Sequence, residues 1–226
     1  MENCKCRRPG RLLKASVMLG LTACAFVAMQ ATAQAQGSSR NSTSDVYWNW
    51  DPDTAVGSSN LVRTNAGLSF TYHTTSLPPG HVVTVWIVVF NNPEHCSTSP
   101  CSAPADVFNP AVNADFLYGG GHVIGGSGRG NFGGHLPVGD PSGSGLIELG
   151  MPELAVGLLN PLTAEVQLAL HSHGPARSGQ VLKAQLSSFL GGCQTFLGPD
   201  GIADGPEDMP DAVGECSTFQ YSSHQP

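Results

Sequence analysis

The sequence predicts an all-β protein, a disulfide-stabilised antiparallel β-sandwich with at most one short helix. Three observations carry that expectation. Leu68, Phe70 and Tyr72 alternate with Ser69, Thr71 and His73, and Ala164 to His173 alternates in the same way, the period-two mark of half-buried strands. Val82 to Phe90 is almost continuously apolar and β-branched around Trp86, as in a central strand covered on both faces. The 28 glycines and 17 prolines punctuate the chain, and runs of strong helix formers are few.

The first 33 residues read as a secretory signal peptide. Lys5, Arg7, Arg8, Arg11 and Lys14 form a positive leader, Ala15 to Met29 is apolar, and Ala31-Thr32-Ala33 and Ala33-Gln34-Ala35 are small-x-small cleavage sites. The apolar run is shorter than the roughly 20 residues of a membrane span, so the mature chain is expected to carry no transmembrane segment. Leu21-Thr22-Ala23-Cys24 resembles a lipoprotein box, which makes a lipid anchor on Cys24 the alternative to a free secreted or periplasmic protein. Residues 34–44 are expected to be a flexible lead-in, and residues 45–226 one β-sandwich domain.

Within that domain Val46 to Trp50 is expected to open the sheet, and Pro78-Pro79-Gly80 to turn the chain into the central strand. Asn91-Asn92-Pro93 ends that strand. Val112 to Tyr118 follows as a strand, and the glycine-rich stretch at 119–134 as a hairpin turning near Ser127-Gly128. Gly128-x-Gly130-x-x-Gly133 matches a dinucleotide fingerprint in letters only, because no strand precedes it and no helix follows. Residues 139–163 read as a long loop, Gln180 to Leu190 as the single short helix, Gly198 to Gly214 as an acidic loop, and Phe219 and Tyr221 as part of a final strand.

Cys4, Cys6 and Cys24 leave with the leader, so Cys96, Cys101, Cys193 and Cys216 remain, an even number in an exported chain. Three pairings are open; sequence neighbours favour Cys96–Cys101 and Cys193–Cys216. The mature part keeps 5 of the 10 basic and 16 of the 17 acidic residues, a net charge of −11. Such a surface repels phosphate backbones, and no basic patch exists, so nucleic acid is excluded as a partner.

The alternating strand at Ala164 to His173 also carries the candidate site. Val166, Leu168 and Leu170 face the core, while Glu165, Gln167, Ala169, His171 and His173 share the other, wetter face. Two imidazoles on one strand face can chelate zinc or copper, with Glu165, His122 or His135 as further ligands, or can simply face water at a sheet end. Asp200, Asp204, Glu207, Asp208 and Asp211 crowd the late loop without the register of a calcium loop.

The run His171-Ser172-His173-Gly174-Pro175-Ala176 through Gly179 and Val181 resembles the CHRD family, β-rich extracellular domains. His122 to Gly126 and Phe132 to Leu136 look like the hairpin that precedes that element there. The pattern Val85-Trp86 through Phe90-Asn91-Asn92-Pro93-Glu94 to Cys96, with Ala164-Glu165-Val166, Ser172-His173-Gly174-Pro175-Ala176 and Gly191-Gly192-Cys193, is similar to a group of uncharacterised exported bacterial proteins. The resemblance implies an extracellular CHRD-like or Ig-like sandwich and no particular activity.

The expected function is therefore a secreted, non-catalytic extracytoplasmic binding or structural module for an unknown extracellular or envelope ligand. A metal-binding protein centred on His171 and His173 is the alternative. A hydrolase is the third reading; the sequence lacks a Gly-x-Ser-x-Gly elbow and a His-Glu-x-x-His helix, and nothing places Glu148 and Glu153 across a cleft as a glycosidase pair.

Overall fold

The computed structural model describes residues 39–191 and 217–226, and eight antiparallel strands dominate them. In chain order these are β1 (Arg40–Trp48), β2 (Asp51–Thr64), β3 (Gly67–Thr74), β4 (His81–Phe90), β5 (Ala114–Val123), β6 (Gly130–Pro137), β7 (Glu165–Pro175) and β8 (Thr218–His224). Three short helices, α1 (Ala103–Asp106), α2 (Gly145–Glu148) and α3 (Gly179–Ser187), lie in the connections. The leader, Cys193, Cys216 and the late acidic loop fall outside the described residues.

The strands form one continuous ladder in the order β5-β4-β7-β8-β1-β2-β3-β6 rather than two separately bonded sheets. β4 is central, as its apolar run requires: it pairs with β5 on one side and β7 on the other, and only its first residue, His81, is partly exposed. The glycine-rich 119–134 stretch does turn the chain near Ser127-Gly128, but it is not a bonded hairpin. β5 bonds to β4 and β6 bonds to β3, so the turn links the two outer edges of the ladder.

Those edges meet because the sheet curls, and the glycines permit the approach. A Cβ on Gly134 would stand 2.8 Å from the Phe70 ring and 2.9 Å from the Gly119 carbonyl oxygen; one on Gly119 would stand 3.0 Å from the same ring. Phe70 closes the seam from inside, where any larger residue would collide.

Inside the curl, Leu68, Phe70 and Tyr72 meet Val83, Val85, Ile87 and Val89 and Val166, Leu168 and Leu170. Trp86 lies on the opposite face of β4. There it anchors a second core with Val88, Phe90, Phe116, Leu146 and Ala169. The connections carrying α1 and α2 cover that outer face, which is why the far side of β7 is not wet: Glu165, Gln167, Ala169, His171 and His173 are all buried. The Cys96–Cys101 disulfide pins this covering layer, and Asp106 holds the same loop by accepting the Ser97 and Ser102 N–H groups at 2.8 and 2.7 Å.

β1 begins at Arg40, so Arg40–Ser44 of the segment read as a lead-in belongs to the sheet, and β2 has no apolar alternation to announce it. Both strands line part of the interior with polar groups. Ser42 and Ser59 each stand 2.9 Å from a ring nitrogen of buried His224, and Ser59 also donates to Ser222 at 2.8 Å. Arg63, only 1 % exposed, donates to the carbonyls of Pro161, Ala164, His224 and Gln225 and so ties the approach to β7 to the end of β8. Helix α3 forms close to the expected span, yet its buried anchor is polar. Gln185 donates to the carbonyls of His173 and Pro175 and accepts from the Arg177 N–H, while Val181 stays exposed.

Candidate functional site

Two places on β7 and its neighbours gather chemistry-bearing side chains. Because the strand is pleated, His171 and His173 share one face and Ser172 points to the other.

On the outer face, His173 sits in a chain of hydrogen bonds whose directions follow from the chemistry. The Gly191 carbonyl can only accept, so the 2.7 Å bond to His173 Nδ1 places the ring proton there. Thr84 Oγ1 accepts from Trp86 Nε1 at 2.9 Å, so its own hydroxyl proton goes to His173 Nε2 at 2.8 Å. Desolvation lowers the His173 imidazole to about 4, against the raising effect of the Gly191 bond. His171 differs. It stacks on Phe189 at 4.5 Å and meets His173 at 4.9 Å, and neither of its ring nitrogens has a hydrogen-bond partner. Burial, reinforced by His173, holds it well below the ordinary histidine range.

The other residues expected around this pair are elsewhere. Glu165 lies at the opposite end of β7, about 20 Å along the strand, where it accepts the Cys101 N–H at 2.9 Å and the Gln167 amide at 3.0 Å. His122 is exposed on β5, edge-on to Phe132, and His135 is exposed on β6 beside the Ser69 hydroxyl at 3.0 Å. Among the described residues, the one trio of ligand-type side chains close enough for an ion is Cys96, Cys101 and Asp106, two of which are joined in the disulfide. Glu148 accepts the N–H groups of Phe189 and Leu190 at 2.8 and 3.3 Å, fastening the segment that covers His171.

On the other face a cleft of about 310 Å³ opens between the end of β1, the β3–β4 connection and β8. Trp48 stacks on Trp50 at 4.8 Å and an interplanar angle of 21°, and Phe219 tilts against Trp48 at 5.6 Å. Trp50 is 70 % exposed. Ser76, Pro78, His81, Ser172 and Ser217 also line it, and among the described residues no carboxylate, lysine or arginine joins them. Ser76 holds a left-handed backbone, φ 64°, a conformation that costs a non-glycine residue on the order of 1–3 kcal/mol. Bonds on either side hold it there: Thr75 N to the Val56 carbonyl and Leu77 N to the Gly128 carbonyl. The cleft escaped sequence reasoning because its residues come from four separated segments. The one local signal was Trp48-Asn49-Trp50, two indoles flanking a turn.

Comparison of the chain with family models, with curated proteins and with solved structures finds no match in any of the three.

Proposed function

We propose that this chain is an exported, non-catalytic binding module whose ligand site is the cleft between Trp48, Trp50 and Phe219. One observation carries the reading: an indole that is 70 % exposed yet held flat by stacking on its neighbour, at the mouth of a cleft lined by strained Ser76. Exposed, pre-ordered aromatic area lowers the ordering cost of binding. A lining of indoles, hydroxyls and one imidazole suits a neutral ligand with an apolar ring face, such as a saccharide. Export is supported by the leader's layout and by the Cys96–Cys101 disulfide. The likeness of the His171–Val181 run to extracellular CHRD domains is in keeping with both.

Titration of the mature chain with maltotriose and chitotriose, followed by tryptophan fluorescence, tests this. Saturable quenching by either sugar is expected, and Trp50→Ala should abolish it while leaving the melting temperature unchanged. Unaltered fluorescence with both sugars, or quenching that survives Trp50→Ala, would refute the assignment of the cleft.

A further inference from the structure

The buried imidazole pair on the outer face of β7 is unexplained by ligand binding in the cleft. His171 is 3 % exposed and both its nitrogens lack hydrogen-bond partners, a state that forfeits their hydration without replacing it. Among the described residues its close ring neighbours are Phe189, stacked at 4.5 Å, and His173 at 4.9 Å. An apolar side chain would fill the same box without that cost, so the nitrogens themselves call for a role.

His173 has the arrangement of a metal ligand prepared by its surroundings. Its Nδ1–H is tied to the Gly191 carbonyl, the outer bond that ordinarily fixes the tautomer and orientation of a ligating histidine. That leaves the Nε2 lone pair facing Thr84 Oγ1, whose hydroxyl can turn away while the oxygen still accepts from Trp86. His171 can rotate to meet it, since no hydrogen bond resists the motion. The box offers two imidazoles, bounded by Phe189 and, next to His173, Trp86 through Thr84; among the described residues no carboxylate or thiolate joins them. Zinc in a structural site takes four ligands. A monovalent d10 ion is content with fewer, and a dry aromatic box disfavours the additional waters a divalent ion would bring.

We infer that His171 and His173 together hold one cuprous ion beneath the Phe189–Gly191 segment. The ion enters when that segment lifts, and the bonds that Glu148 accepts from Phe189 and Leu190 are among the fastenings that must release. The inference stands apart from the cleft, because Ser172 faces the cleft and the two histidines face away from it.

The test uses the exported full chain, stripped of metal and titrated anaerobically with Cu(I) against the chelator bicinchoninate. The wild type should take up one ion per chain, with a copper-edge absorption spectrum of imidazole scatterers and no sulfur. His171→Phe should lose that uptake while melting at or above the metal-free wild type, because it removes two unsatisfied nitrogens from an aromatic box. His122→Ala should bind as the wild type does. Failure of the wild type to take up Cu(I), sulfur in its first shell, or undiminished uptake by His171→Phe would each overturn the inference. Glu148→Ala, which removes the acceptor of the Phe189 and Leu190 N–H groups and leaves both histidines in place, should speed uptake without changing its stoichiometry, and unchanged uptake kinetics would overturn this route of entry.

Discussion

Protonation of His224 makes a large, separable contribution to the loss of stability below neutral pH. The imidazole is 2 % exposed, its two nitrogens are closed off by Ser42 and Ser59, and the Arg63 guanidinium donates to its own carbonyl. Desolvation, followed by the charge of Arg63, lowers it to about 4. The unfolded chain takes up the same proton near pH 6.5, so between these values the unfolded state binds more protons and stability falls as pH falls. For a shift from 6.5 to about 4, the loss is about 2 kcal/mol between pH 7 and pH 5, and about 3 kcal/mol by pH 4. That is a large share of the 5–15 kcal/mol that holds an ordinary domain. His173 contributes a parallel slope, so the informative quantity is the difference between wild type and His224→Gln, whose amide reaches a serine but does not titrate. Urea unfolding of both proteins at pH 7 and pH 5 measures it. The wild type should lose about 2 kcal/mol more than the variant over that interval. Equal losses in the two proteins would refute the argument that His224 is buried neutral.

Arg63→Met strips four backbone carbonyls of their donor at the junction of β7 and β8, and a loss of about 3 kcal/mol is expected from urea unfolding. Gly134→Ala places a methyl within 2.8 Å of the Phe70 ring and 2.9 Å of the Gly119 carbonyl. It should lower stability by about 1–3 kcal/mol, and Phe70→Leu in the same chain should recover part of the loss, as the melting temperatures of the two proteins would show.

How much of this was legible depended on what each strand faces. β3, β4 and β7 announce themselves because one or both of their faces meet apolar neighbours, and their spans follow from Leu68 to Tyr72, Val82 to Phe90 and Val166 to Leu170. β1 and most of β2 do not, because Ser42 and Ser59 are matched to His224 and Ser222 rather than to a hydrophobic core. Hydrophobic periodicity has no purchase on a wall whose complement is polar. The same limit misplaced the wet face of β7. Alternation of Glu165, Gln167, His171 and His173 with apolar residues reads as solvent on one side, yet that side is buried beneath a second layer of connections.

Taken alone, the sequence determined the antiparallel all-β class, the central place of Val82 to Phe90, the near-neighbour disulfide Cys96–Cys101 and the short helix after Gly179, for each rests on residues close together in the chain. Only the tertiary structure decided which of the five candidate ligands stay together. His171 and His173 share one buried face, while Glu165, His122 and His135 are carried away by strand length and by the separation of β5 and β6 from β7 in the ladder. It also decided that Trp50, Phe219 and His81 meet at one cleft. The physical reason is common to both: local spacing sets which way a side chain points from its strand. What it points at depends on strand order and curl, which arise from the packing of the whole chain.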